Sequence, residues 1–319
     1  MDSKTDKPQK EAKAGMKSTA RRGIGLAVLA AALYALNAPF SKLLLADVPS
    51  TLMAGLLYLG AGLGMGVMAL LRRITGRGGD EKKLAWAQLP YTVAMIVLDI
   101  LAPIFLLLGL SQTTAAHASL LNNFEIVTTA VIAFAVFKEK ISLRLWLGIL
   151  FVTLSCCMLS FVDIQSLKFS SGSLYVLLAA CCWGLENNCT RKISSKDPLQ
   201  IVLLKGIFSG LGSVQIGLFL GERIEKLWCI PLVLLLGFVA YGLSIYFYVY
   251  AQRMLGAAKT SAYYAIAPFI GVLLSFVIFQ AASGTMFFAA LALMMVGTWL
   301  ASQDTPLSEV FCRKHSKRQ

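Results

Sequence analysis

The chain has 319 residues, of which 57% are hydrophobic and 14% charged, with a mean hydropathy of +0.72 and a formal net charge of +13. A soluble globular domain averages about 45–50% apolar and about 25% charged residues. This composition therefore excludes an ordinary soluble fold and points to a helical protein of the membrane. The positive charge raises nucleic acid as a partner, and its placement along the chain argues against that reading.

Residues 1–22 form a polar, basic tail carrying Lys4, Lys7, Lys10, Lys13, Lys17, Arg21 and Arg22. It has too little apolar surface to fold alone. A secretory signal has a similar flank, but the apolar run that follows continues to Leu45 and recurs later in the chain, so it is expected to stay as a helix. Ten membrane spans are predicted, at 23–45, 51–71, 86–110, 114–137, 143–161, 173–195, 199–221, 228–252, 258–279 and 285–302. Each is long enough to cross a bilayer as a helix. The alternation of an outer-membrane barrel is absent. Short connections, such as Asp47–Ser50 with Pro49 and Lys196–Asp197–Pro198, make consecutive helices antiparallel neighbours. Residues 303–319 close the chain as a second basic tail.

With ten spans both termini share one side, and that side collects 24 Lys and Arg residues against four opposite, with Lys205 inside a span. Such a bias predicts cytoplasmic termini in a cell-membrane protein and makes the charge a topology signal. Seven Cys, an odd number, argue against a disulfide framework, and two His give no metal-ligand spacing. No nucleotide loop or hydrolase motif occurs, so neither an enzyme nor a cofactor is expected.

The chain repeats itself. A shift of 149 residues places Tyr34 on Trp183, Asn37 on Glu186, Lys42 on Arg191 and Pro49 on Pro198. A shift of 142 places Ala116 on Ala258, Ser119 on Ser261 and Phe137 on Phe279. The halves, 23–161 and 172–302, have five spans each, and an odd number inverts the second copy in the membrane. Inverted repeats are a common plan of secondary transporters, with the solute site near the midplane between the halves.

Residues 115–142, including AAHASLLNNFEIV and the closing FKEKIS, and residues 255–279, LGAAKTSAYYAIAPFIGVLLSFVIF, occupy the same place in the two halves. In these segments the chain resembles the drug/metabolite transporter superfamily, in its EamA-type branch of two tandem five-helix domains. The resemblance covers the whole membrane region and implies a ten-helix transporter of small organic solutes in a cytoplasmic membrane. Two departures stand out. The acidic residue that follows the family's fourth helix is present as Glu139, but its second-half counterpart is Ala281. Ile126 replaces a proline often found after the buried Glu, while Pro268 retains it in the ninth helix, which implies a straighter fourth helix.

Acids inside spans are rare and usually face a cavity. Asp99, Glu125 and Glu186 lie midway through the third, fourth and sixth spans. Each could handle a solute or proton, and each could instead fix helix packing through hydrogen bonds. Glu125 is the leading candidate, with Asn122 and Thr129 on the same face of a helix. Glu186 shares a face with Asn187 and Thr190 and lies one turn after Trp183, whereas its repeat partner Asn37 lies one turn after Tyr34. Asp99 aligns with Tyr241, so both halves place a polar tip there. Tyr241, Tyr248 and Tyr264 could wall a cavity or stack on a cation, or belong to an interfacial belt. Lys205 is expected to snorkel to the cytoplasmic interface, with a salt bridge to Glu186 as the alternative. His117 is expected to be an interfacial polar residue, and Gly60, Gly62, Gly64 and Gly66 to form a helix-contact surface.

The expectation is an all-α membrane protein of ten transmembrane helices in two inverted five-helix repeats. Its partners are the lipid bilayer, a small solute and protons, and it acts as a monomer or homodimer. It is expected to export an amino acid or related metabolite by alternating access. An organic cation or drug is the alternative cargo, and a receptor or scaffold without transport is the reading from another class.

Overall fold

Residues 6–75, 84, 86–138, 141–163, 168–193, 196–255, 260, 263–280 and 283–302 are described in the computed structural model of the chain. Glu139, Lys259, Ser261, Ala281 and the C-terminal tail from 303 lie outside them. The described part is helical, apart from a ribbon pairing Phe161–Asp163 with Lys168–Phe169 between the two halves of the chain.

The helices are α1 (Asp6–Ala35), α2 (Asn37–Leu44), α3 (Ser50–Ile74), α4 (Leu89–Gln112), α5 (Ala115–Leu121), α6 (Phe124–Phe137) and α7 (Leu143–Ser160). After the ribbon come α8 (Ser171–Ile193), α9 (Pro198–Leu204), α10 (Gly210–Phe219), α11 (Cys229–Gly237), α12 (Ser244–Leu255), α13 (Ala267–Phe279) and α14 (Thr285–Ser302). Two π-helical stretches, Lys205–Ser209 and Phe238–Leu243, join α9 to α10 and α11 to α12. Helix α1 begins ahead of the apolar run, in a stretch rich in the good helix formers Ala and Lys.

Among the described residues eight helical stretches are, by length and composition, long and apolar enough to cross a membrane. The predicted sixth span, α8, falls outside that number; its second half carries Glu186, Asn187, Asn188, Arg191 and Lys192. The ninth, α13, has only 13 residues. Helix starts follow local chemistry. Pro90, Pro198 and Pro268 occupy first-turn positions, where no helical N–H is lost. Thr114, Ser142 and Asp197 cap α5, α7 and α9 by accepting from backbone N–H groups. Pro49 gives α3 no side-chain cap. There the Glu222 carboxylate, from the far half of the chain, accepts from Thr51 N–H at 3.3 Å and Leu52 N–H at 2.8 Å. Beside it Lys226 pairs with Asp47 at 2.7 Å, and this carboxylate holds the exposed ammonium above the usual lysine range.

The fourth helix is not straight. It is interrupted at Asn122–Asn123, where the N–H groups of Asn123, Glu125 and Ile126 each reach back only three residues. Asn side chains compete for backbone partners and weaken a helix interior, so two in a row break the helix although the proline is absent.

The main contacts join the two halves. Helix α4 packs along α8 and α1 along α12; α7 packs on α14 and α5 on α13. Helix α3 lies against α10, α11 and both π segments. Its glycines permit this approach: a Cβ on Gly60 would overlap the Leu234 carbonyl, and one on Gly206 would overlap the Gly62 backbone. Exposure is the reverse of that in a soluble protein. Val67, Phe219, Val277 and Trp299 are exposed, whereas Asp99, Glu186 and Lys205 are buried.

Candidate functional site

The polar residues of the interior form three linked groups. The first is an ionic triad. Lys205 Nζ lies 3.1 Å from Asp99 Oδ2 and 2.9 Å from Glu186 Oε1. Asp99 is 0%, Glu186 2% and Lys205 8% exposed. Tyr58 donates its hydroxyl to Asp99 Oδ1 at 2.8 Å, Thr190 donates to Glu186 Oε1, and Trp183 Nε1 reaches the Tyr58 oxygen at 3.4 Å. Lys205 therefore does not snorkel. It opens a π segment packed on α3, which points its stem inward, and two carboxylates supply the charge that the lipid edge cannot.

Helix irregularities help to place this triad. Pro103 lies inside α4, four residues after Asp99, and has no N–H for the Asp99 carbonyl. Tyr241, the repeat counterpart of Asp99, lies in the second π segment. Both reach Tyr58, whose ring centroid is 5.2 Å from that of Tyr241. Tyr58 was not singled out in the sequence because a lone Tyr in a glycine-rich span resembles packing.

The second group surrounds Glu125. Asn187 donates to Glu125 Oε1 at 2.6 Å and reaches Thr129 Oγ1 at 3.4 Å. Asn188 donates to the carbonyls of Thr129 and Gly184. Glu125, Thr129 and Asn187 are only half-buried, in contrast to the triad. Among the described residues no Lys, Arg or His pairs with Glu125. Asn187 was expected on the Glu186 face and instead serves Glu125.

The third group is aromatic. Asn122, turned away from Glu125 by the break, donates Nδ2 to the Tyr34 hydroxyl at 3.1 Å. Asn37 donates Nδ2 to the Tyr241 hydroxyl at 3.0 Å and accepts from Ser41. The Tyr34 ring lies 6.0 Å from Tyr241 and 5.9 Å from Tyr264, and Tyr264 packs on Tyr248 at 4.9 Å. Tyr264 also meets the Ser244 hydroxyl at 3.4 Å. The predicted residues thus converge on one central region, but the single face of Asn122, Glu125 and Thr129 is divided between two groups. Tyr250 packs on Tyr246 with the rings tilted and their centroids 4.8 Å apart. His117 meets the Thr114 hydroxyl and the Phe287 ring near the start of α5. The arrangement can hold charge, exchange a proton at a half-buried glutamate, and stack aromatic rings on a solute.

A family model described as the EamA-like transporter family matches residues 21–161 and 170–303. The chain is 24% identical over 269 residues to an uncharacterized transporter of Methanothermobacter thermautotrophicus, covering 79% of this chain and 78% of that protein. It is 23% identical over 180 residues to the uncharacterized transporter YyaM of Bacillus subtilis, covering 53% of this chain and 59% of that relative. A solved structure, described only as a protein crystal structure, superposes with a TM-score of 0.63 at 19% identity, covering 89% of this chain and 95% of the other. At that identity the likeness shows the fold.

Proposed function

The chain belongs to the EamA-like transporter family, and on that premise we propose that it is a proton-coupled secondary transporter of a small organic solute in the cell membrane. It works by alternating access, with ten spans in two inverted halves and the solute held between them. Its cargo is an amino acid or related metabolite, moved outward in exchange for protons.

The observation that carries this reading is the contrast between Glu125 and the triad. Asp99 and Glu186 are closed around Lys205, whereas Glu125 is half-buried and has an amide as its partner. A carboxyl without a counter-charge in a membrane interior is costly when ionised, so it keeps a proton until water or a cation reaches it. Solute and proton then exclude each other at one place, which is sufficient for exchange.

Inversion of the halves is supported by matching irregularities. The fourth span breaks at Asn122–Asn123 and the ninth has a turn at 265–266. Left-handed residues end α6 at Lys138 and α13 at Gln280, 142 positions apart. The Asn37–Tyr241 hydrogen bond occupies the repeat position of Glu186 and Asp99. An organic cation remains a second reading for the cargo, favoured by the acids beside Tyr34, Tyr241 and Tyr264.

Flux in proteoliposomes under an imposed pH gradient tests the coupling. Glu125→Gln, close in shape to the protonated acid, should fold and lose pH-driven flux. Glu125→Asp should retain part of it with a shifted pH optimum. Wild-type flux and pH dependence in the Gln variant would assign Glu125 to packing.

A further inference from the structure

A cavity of about 20 Å³ lies where three helix irregularities meet. Its walls include Tyr34 and Ala35 at the end of α1, Ser119 and Asn122 at the end of α5, and Pro268 and Gly271 at the start of α13. That volume admits roughly one water-sized group. Its chemistry is more specific than its size. Ser119 Oγ and Asn122 Oδ1 have no hydrogen-bond partner among the described residues, although Ser119 is 7% and Asn122 8% exposed. An unsatisfied polar atom at such depth costs about 1–3 kcal/mol. Two beside one cavity call for an occupant.

A third oxygen joins them. Pro39 lies four residues after Ala35 and has no N–H to donate, so the Ala35 carbonyl lacks its usual helical partner. A Cβ built on Gly271 would lie 2.8 Å from Ser119 Oγ and 3.5 Å from the Ala35 oxygen, so both oxygens border the same space. Asn122 spends its Nδ2 on Tyr34, which leaves its carbonyl oxygen as the free atom. The cavity thus presents an amide oxygen, a hydroxyl oxygen and a main-chain carbonyl. Among the described residues no cation lines it. Lys205 is held by Asp99 and Glu186, and Lys42 donates to the Leu110 and Ser111 carbonyls.

We propose that this cavity is the subsite for the primary ammonium group of the transported solute. A primary ammonium carries three N–H donors, which match the three oxygens, and it is close to water in size. Glu125 does not line the cavity; its charge acts on the Tyr34 hydroxyl that Asn122 holds, and it supplies the balance from beyond the cavity wall. A quaternary ammonium has no N–H to donate and is too large for the space. The assignment rests on the reading of the chain as a solute transporter, but the binding experiment needs no transport.

The test is calorimetric titration of the purified full-length protein at neutral pH with n-butylamine, butyltrimethylammonium, butanol and sodium chloride. Butylamine should bind and the other three should not displace it. Ser119→Ala should weaken butylamine about tenfold or more, the loss of one hydrogen bond to a charged group. Gly271→Ala places a methyl group in the cavity beside a hydroxyl that can rotate, and should abolish binding while the protein remains folded by circular dichroism. Equal affinity for the quaternary analogue, displacement by sodium, no butylamine binding to the wild type, or unchanged binding in both variants would each overturn the subsite. Failure of pH-driven flux with butylamine binding intact would instead count against the coupling at Glu125.

Discussion

Two kinds of buried acid are separated by their partners. Asp99 and Glu186 share the Lys205 ammonium, which removes one of their two negative charges. Coulomb attraction at such short range offsets the desolvation of all three groups only while the set stays complete. Lys205→Met leaves two carboxylates facing each other and should cost about 3–5 kcal/mol, read as a loss of folded yield or a lower Tm. Adding Glu186→Gln should recover part of that cost because one unpaired charge is removed. The coupling belongs to a trio, so the same recovery is expected from Asp99→Asn. Strict additivity in both double-mutant cycles would show that the contacts carry no energy. The short spacing between Glu186 and Lys205 in sequence raises a pair as a possibility, whereas the part of Asp99 depends on α4 and α8 lying side by side.

At the level of elements, stability comes from close helix contacts rather than from hydrophobic burial alone, because lipid is as apolar as the helix surfaces. Helix α3 is the clearest case, since its glycines face α10, α11 and the two π segments. Gly60→Ala drives a methyl group into the main-chain carbonyl of Leu234, which cannot rotate away. That change should cost about 1–3 kcal/mol or more, read as a fall in Tm of the purified protein. Gly25→Ala is the control: nothing lies within 4 Å of the added carbon, and alanine favours helix, so its Tm should stay level or rise. If the two variants melt alike, close approach at Gly60 contributes nothing. The run Gly60 to Gly66 is legible in the sequence as a contact surface. The break at Asn122–Asn123 is less legible, because the proline that usually marks such a break is missing.

At the level of the whole molecule, the outcome to check is orientation. A cytosol-active reporter fused after Gln319 should give signal, and the same reporter between Thr113 and Thr114, where α4 passes to α5, should not. The reverse pattern, or equal signals, would overturn both the orientation and the count of ten spans. Composition, the length of the apolar runs and the placement of Lys and Arg determine on their own that this is a multi-pass helical protein, and they carry the expectation of where its ends lie. These are properties of segments in a bilayer, and each segment answers to the solvent by itself. The family resemblance is legible for the same reason, in motifs that are continuous stretches of sequence. Partners are another matter. Asn187 serves Glu125 rather than Glu186, Lys205 is shared with Asp99, and Tyr58 joins Asp99 to Trp183. Only the tertiary structure decided these contacts, because each links residues on helices far apart in the chain. Helical periodicity fixes which side of a helix a residue occupies, but not which helix that side meets.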